Sequence, residues 1–164
     1  MTSFWTEKKG RKLYFTAVLN EGGRSIENTF FWPAVDPIKL RELLRLEGTV
    51  TAERLRFTIK GAMAEVNAEL FDYRRQQIAI GCKALGEVQA EQIDGENMQL
   101  AEYQRAVCAV TAALLAERYR GYDASARGDK RAEAIENSVG EWWRDARHSI
   151  RNITGQPHNI VGLI

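Results

Sequence analysis

Residues 98–122, MQLAEYQRAVCAVTAALLAERYRGY, decide how the rest of the chain is read. At helical spacing Leu100, Tyr103, Val107, Val110 and Leu114 form one apolar seam, and Cys108, Ala112, Leu115 and Tyr119 form a second beside it. A helix apolar over so much of its circumference stays dry only when other helices surround it, so this segment is the expected centre of a bundle. Its uncharged middle, Ala106 to Ala116, is about eleven residues, short of the roughly 20 that cross a bilayer. It reads as a core helix, and no membrane partner is expected.

At 164 residues the chain fits one domain with a real core. Lys plus Arg is 23 against 22 for Asp plus Glu, and the resulting net charge of +1 gives no whole-molecule field for nucleic acid or anionic membrane. Contacts of that kind would need local patches. Two cysteines, Cys82 and Cys108, lack CxxC spacing and suit free thiols in a reducing compartment. The start, MTSFWTEKKGRK, has no apolar h-region, which predicts a cytosolic location when made.

Outward from the central helix, residues 129–153 predict a last helix with the stripe Ile135, Val139, Trp142, Ala146, Ile150 and Ile153, closed by Gly155. Upstream, Asp36 as cap, Pro37 at the first helical position and a Val35/Leu40 staple predict a helix from Pro37 to about Leu46, with Gly48 as its stop. Thr51, Glu53 and the Val50/Leu55 pair repeat the device. They start a longer helix with the stripe Leu55, Ile59, Met63, Val66, Leu70 and Tyr73. Between Gly81 and Asn97 the pattern breaks; Asp94 and Gly95 favour a turn, and Asn97 or Asp94 is placed to cap the central helix.

The expected fold class is all-α, a roughly four-helix antiparallel bundle over residues 36–155, with an N-terminal arm over 1–35 and an extended tail over 156–164. Leu13 to Leu19, the Gly22-Gly23 turn and Ile26 to Trp32 predict a β-hairpin in the arm. Such a hairpin is marginal alone, so it lies on the bundle or is ordered by another chain. The tail ends in Ile160, Val161, Leu163 and Ile164, an apolar terminus the bundle does not need.

Motifs for catalysis are missing. His148 and His158 have no ligand partner at HExxH or CxxC spacing, no nucleophile motif surrounds a Ser or Cys, and no phosphate-cradling loop is present. Asp94 with Glu96 is explained by a turn beside a helix start. No enzyme activity, metal or cofactor is expected. Arg144, Arg147 and Arg151 share one face of the last helix, opposite its apolar stripe. They form either a solvated surface balanced by Glu141 and Asp145 or a face for an acidic partner or a DNA backbone. Arg74 with Arg75 and Arg118 with Arg120 are weaker candidates of the same kind. Trp142 belongs to the stripe, which leaves Trp143 at its edge.

The blocks NTFFWPAVDPIKLRELLRLEGTVTAERLRFTIKGAMAEVNAEL, IDGENMQLAEYQRAV with ALLAERYRGYD, and GDKRAEAIENSVGEWWRDARHSIRNITGQPHNIVGLI resemble, in order and spacing, the head completion (stabilisation) proteins of contractile-tailed temperate phages, the GPL family. The resemblance covers residues 28–164. It implies a helical head-tail connector that joins the portal protein after DNA packaging, forms a ring with neighbouring copies, retains the double-stranded DNA without reading its sequence, and receives a tail completion protein. It also implies a virion component at the head-tail junction, assembled in the bacterial host cytoplasm. In such a ring Ile160, Val161, Leu163 and Ile164, with Phe30, Phe31 and Trp32 of the arm, are candidate contacts to the portal or the neighbouring subunit. Arg144, Arg147 and Arg151 become candidates for the DNA-channel face. The alternative reading is a small DNA-binding or regulatory helical protein, which the charge balance does not favour.

Overall fold

The structure, a computed structural model, describes residues 23–46, 50–120 and 129–156, with the side chains of 119–120 and 129–137 outside the description. Their elements are helices α1 (Pro37–Leu43), α2 (Ala52–Glu69) and α3 (Phe71–Ala79), a 3₁₀ turn (Leu85–Glu87), strands β1 (Gln92–Ile93) and β2 (Glu96–Asn97), and helices α4 (Met98–Arg120) and α5 (Asp129–Thr154).

Local chemistry starts α1, α2 and α4 where the sequence predicts. The Asp36 carboxylate accepts from the Ile38 and Lys39 amides at 2.8 and 3.3 Å, and Thr51 Oγ1 accepts from the Arg54 amide at 3.2 Å. Asn97, rather than Asp94, caps α4: its Oδ1 accepts from the Gln99 amide at 2.8 Å, while its Nδ2 donates to the Val88 carbonyl at 3.1 Å. Asp94 and Gly95 instead take left-handed φ values of 52° and 74° and form the two-residue turn between β1 and β2. Gly155, at φ 67°, ends α5.

α4 is the centre. Tyr103, Ala106, Val107, Ala109, Val110, Ala113 and Leu115 are buried, packed between α2 and α5. Cross-helix hydrogen bonds give the directions. Arg118 reaches Thr58 while Tyr103 reaches Asn67, and Trp143 reaches Glu117 while Asn152 reaches Glu102, so α4 runs antiparallel to both neighbours. The predicted stripe of α2 is the buried one, from Leu55 to Val66, and Ala146 and Ile153 of α5 complete the core.

The structure corrects three expectations. Five helices stand among the described residues where the sequence predicted four, because the predicted second helix is interrupted at Leu70. The backbone there departs from helical geometry (φ −93°, ψ 12°), and α3 beyond it buries none of its residues. Hydrogen bonds from Leu70 N to Val66 O and from Arg74 N to Leu70 O keep the two helices nearly continuous. Secondly, α1 stops at Leu43, and Arg45 takes the left-handed φ of 49° expected of Gly48, which lies outside the described residues. Thirdly, the fold is not purely helical, since the connection before α4 contains the β1/β2 hairpin. Of the expected N-terminal hairpin, residues 13–19 lie outside the described residues; among the described ones, Ile26 pairs with Val35, each amide donating to the other's carbonyl at 2.7 and 3.0 Å.

That last pairing turns residues 26–35 into part of the core. Ile26, Phe31, Trp32 and Val35 are all buried, and the Phe31 carbonyl accepts from the Leu85 amide at 2.9 Å, which anchors the 3₁₀ turn and its fully buried Leu85. No helix of the described residues is long and apolar enough to cross a membrane.

Candidate functional site

The 26–35 segment is held by a polar ring at the bundle surface. Asn28 Nδ2 donates to Tyr103 Oη at 2.7 Å, the Tyr103 hydroxyl donates to Asn67 Oδ1 at 2.6 Å, and Asn67 Nδ2 donates back to Asn28 Oδ1 at 2.9 Å. Every member is both donor and acceptor, so the ring closes with none of its shared groups left over. Trp32 stacks on Tyr103 with centroids 4.9 Å apart and planes 11° from parallel, and Phe31 meets Trp32 edge-on. Burial pushes the Tyr103 phenol well above its ordinary value, although the Asn28 hydrogen bond acts in the opposite sense.

Phe31 and Trp32, candidates for contact with another subunit, are therefore used by the chain's own core, at 1% and 4% exposure. Their aromatic bulk fills the space between the 26–35 segment and α4. Phe30 is the one of the three that faces out, 74% exposed. The other contact candidates, Ile160, Val161, Leu163 and Ile164, lie outside the described residues, as does His158.

Arg144, Arg147 and Arg151 do point away from the core side of α5. Arg144 and Arg147 are exposed and Arg151 is half-buried. Arg144 lies 3.5 Å from Asp145, a pair whose exposure makes it a weak contact. Arg147 borders a recess of about 110 Å³ shared with Glu65 and Glu69 of α2. The face is thus interleaved with acids rather than uniformly basic. Of the weaker candidates, Arg74 and Arg75 lie over the exposed Phe71 ring at 5.1 and 5.9 Å, and Arg118 over Phe57 at 5.7 Å. Trp143 is half-buried at the stripe's edge and donates from Nε1 to Glu117 at 2.8 Å.

A feature the sequence did not reveal is an open groove of about 900 Å³ between α1, α4 and α5. Leu43, Leu44, Ala101, Cys108, Ala109 and Trp142 give its apolar wall, and Gln104, Asp145, His148, Ser149, Arg151 and Asn152 its polar one. The hint in the sequence was that Leu40, Leu43 and the capping residue Leu44 stand at i, i+3 and i+4, so the face that buries Leu40 continues apolar to the helix end. Burial raises the Cys108 thiol above its ordinary value. Among the described residues no group of three His, Cys, Asp or Glu side chains could hold a metal ion.

The family model described as phage head completion protein (GPL) matches residues 26–164. That span begins at Ile26, where the described chain joins the core. A head completion/stabilization protein of Escherichia phage P2 is 52% identical over 139 residues, covering 85% of this chain and 82% of that protein. No solved structure matches. With most of its length matched by the family model and about half of the aligned residues shared with that relative, the chain belongs to the phage head completion protein (GPL) family.

Proposed function

We propose that this chain is a structural connector: it docks on the portal vertex of a filled phage head, forms a ring with neighbouring copies, helps retain the packaged DNA and prepares the vertex for the tail completion protein. The observation that carries the reading is the family match over residues 26–164, together with a relative named for head completion and stabilisation. On this reading the protein is a virion component, made in the host cytoplasm, and acts by binding alone. The rigid core suits such a subunit, because a ring needs heterologous contacts held at fixed geometry.

Phe30 and the segment Ile160, Val161, Leu163 and Ile164 are the proposed contacts to the portal or the next copy, and Arg144, Arg147 and Arg151 the proposed face toward DNA. Removing residues 159–164 should leave the helical circular dichroism unchanged and weaken portal binding; unchanged affinity would remove the tail from the contact. Replacing the three arginines by Gln should lower DNA retention in a salt-sensitive way. Unaltered retention with an intact fold would return them to a solvated surface.

A further inference from the structure

We propose that the outer face of α2, where it runs into α3, is a pairing seam for a second copy of this chain, with the two α2 helices lying parallel across a two-fold axis. α2 has two apolar faces. One, from Leu55 to Val66, is used up in the subunit's own core. The other points away from the core and bears Phe57, Gly61, Ala64, Ala68 and Phe71, all exposed, with Phe57 68% and Phe71 47% open to solvent. Their spacing of four, three, four and three residues is that of the facing positions in a two-helix coiled coil. The phase survives the interruption at Leu70, because the Arg74 amide still donates to the Leu70 carbonyl at 3.0 Å. A helix apolar on two opposite sides calls for a neighbour on each, and among the described residues only the inner side has one.

Charge names the occupant. Lys60 and Arg74 flank the seam along one edge, Glu65 and Asp72 along the other. Two copies of this face packed parallel set the basic edge of each on the acidic edge of the other, and at coiled-coil spacing Lys60 meets Glu65 of the second copy, twice by symmetry. Antiparallel packing would set like edges together. Charge also bounds the seam, since Arg54 and Arg75 occupy the next facing positions before Phe57 and after Phe71, where each would meet its own counterpart. Between those limits lies about 21 Å of helix. A Cβ at Gly61 would meet open space, and Ala64 and Ala68 are small, so the two backbones can approach closely while the phenylalanines pack at either end. In the single subunit Arg118 lies over Phe57 and Arg74 and Arg75 over Phe71. Their long stems let these guanidinium groups move to the rim and stay in water when the rings are covered.

This goes beyond the connector reading, because it concerns the free protein and needs no portal; its failure would leave portal docking untouched. Sedimentation velocity of the isolated full-length chain across the micromolar range should show a dimer. Phe57→Glu, at an exposed position, should weaken it by about tenfold or more at unchanged circular dichroism. Lys60→Glu and Glu65→Lys should each weaken it several-fold, and the double variant should restore it, because the swapped edges again face opposite charge. With Cys82→Ser and Cys108→Ser removing the native thiols, Ala64→Cys should link to its own counterpart on mild oxidation. A monomer throughout that range overturns the proposal, as does a charge swap without rescue. A dimer lost with Leu43→Glu but not with Phe57→Glu would use the groove between α1, α4 and α5 instead, and overturns it too.

Discussion

α4 keeps Tyr103, Ala106, Val107, Val110 and Ala113 out of water and begins at a side-chain cap, whereas α3 buries none of its residues, lacks a capping side chain and leaves Phe71 and Ile78 exposed. Both are helices flanking α2. α4 is the more apolar of the two, and it also has neighbours on either side. α4 is held by α2 and α5, and α3 meets chiefly the end of α2, with Tyr73 alone of its larger apolar side chains packed against the core. Stability in this subunit therefore depends on α4 and whatever seals it, and α3 is surface.

The same substitution in the two helices should give opposite results. Val107→Asp would bury an unpaired carboxylate and cost about 4 kcal/mol or more, a large share of a typical domain's stability, so cooperative urea unfolding should be lost. A variant that still unfolds near the wild-type midpoint would break the contrast.

Tyr103→Phe is the next largest, because it leaves Asn28 Nδ2 and Asn67 Oδ1 without their shared partner; about 1–3 kcal/mol should be lost. Tyr103 also sets an alkaline limit. Its folded-state pKa is raised, so the protonated phenol stabilises the fold fully below its unfolded value near 10.0, and that contribution is lost as pH rises above it. Tyr73 and Cys108 are shifted in the same direction, so the informative quantity is the difference between proteins: stability should fall less steeply above pH 10 in Tyr103→Phe than in the wild type. Parallel curves would remove Tyr103 from the effect.

Asn97→Ala takes away the α4 cap and a tie to Val88, and about 1 kcal/mol should go with it by chemical denaturation. Smallest of all, Ile78→Asp on α3 should change stability by under about 0.5 kcal/mol. A loss of several kcal/mol there would mean that α3 is packed on something.

The local devices were legible in the sequence because each is written within a few residues. Asp36, Thr51, Asn97, the Asp94-Gly95 turn and Gly155 behave as their chemistry dictates, and the stripes of α2 and α4 are the faces that pack. What was hidden depends on residues far apart. The Asn28, Asn67 and Tyr103 ring joins positions up to 75 residues apart, so nothing local marks Phe31 and Trp32 as core rather than as a reaching arm. Leu85 is tied to the Phe31 carbonyl in the same long-range way. The interruption at Leu70 was invisible because the apolar stripe runs through it to Tyr73, half-buried past the bend. The arginine face follows from helical spacing, with Arg144 and Arg147 exposed. The acids beside it, Glu65 and Glu69, come from another helix.

The most direct test of the connector account is the mass in solution, by light scattering, of this protein alone and mixed with the portal protein of the same phage or prophage. The account predicts co-elution with many copies per portal ring. A protein that stays free at micromolar concentration beside an intact portal would contradict it.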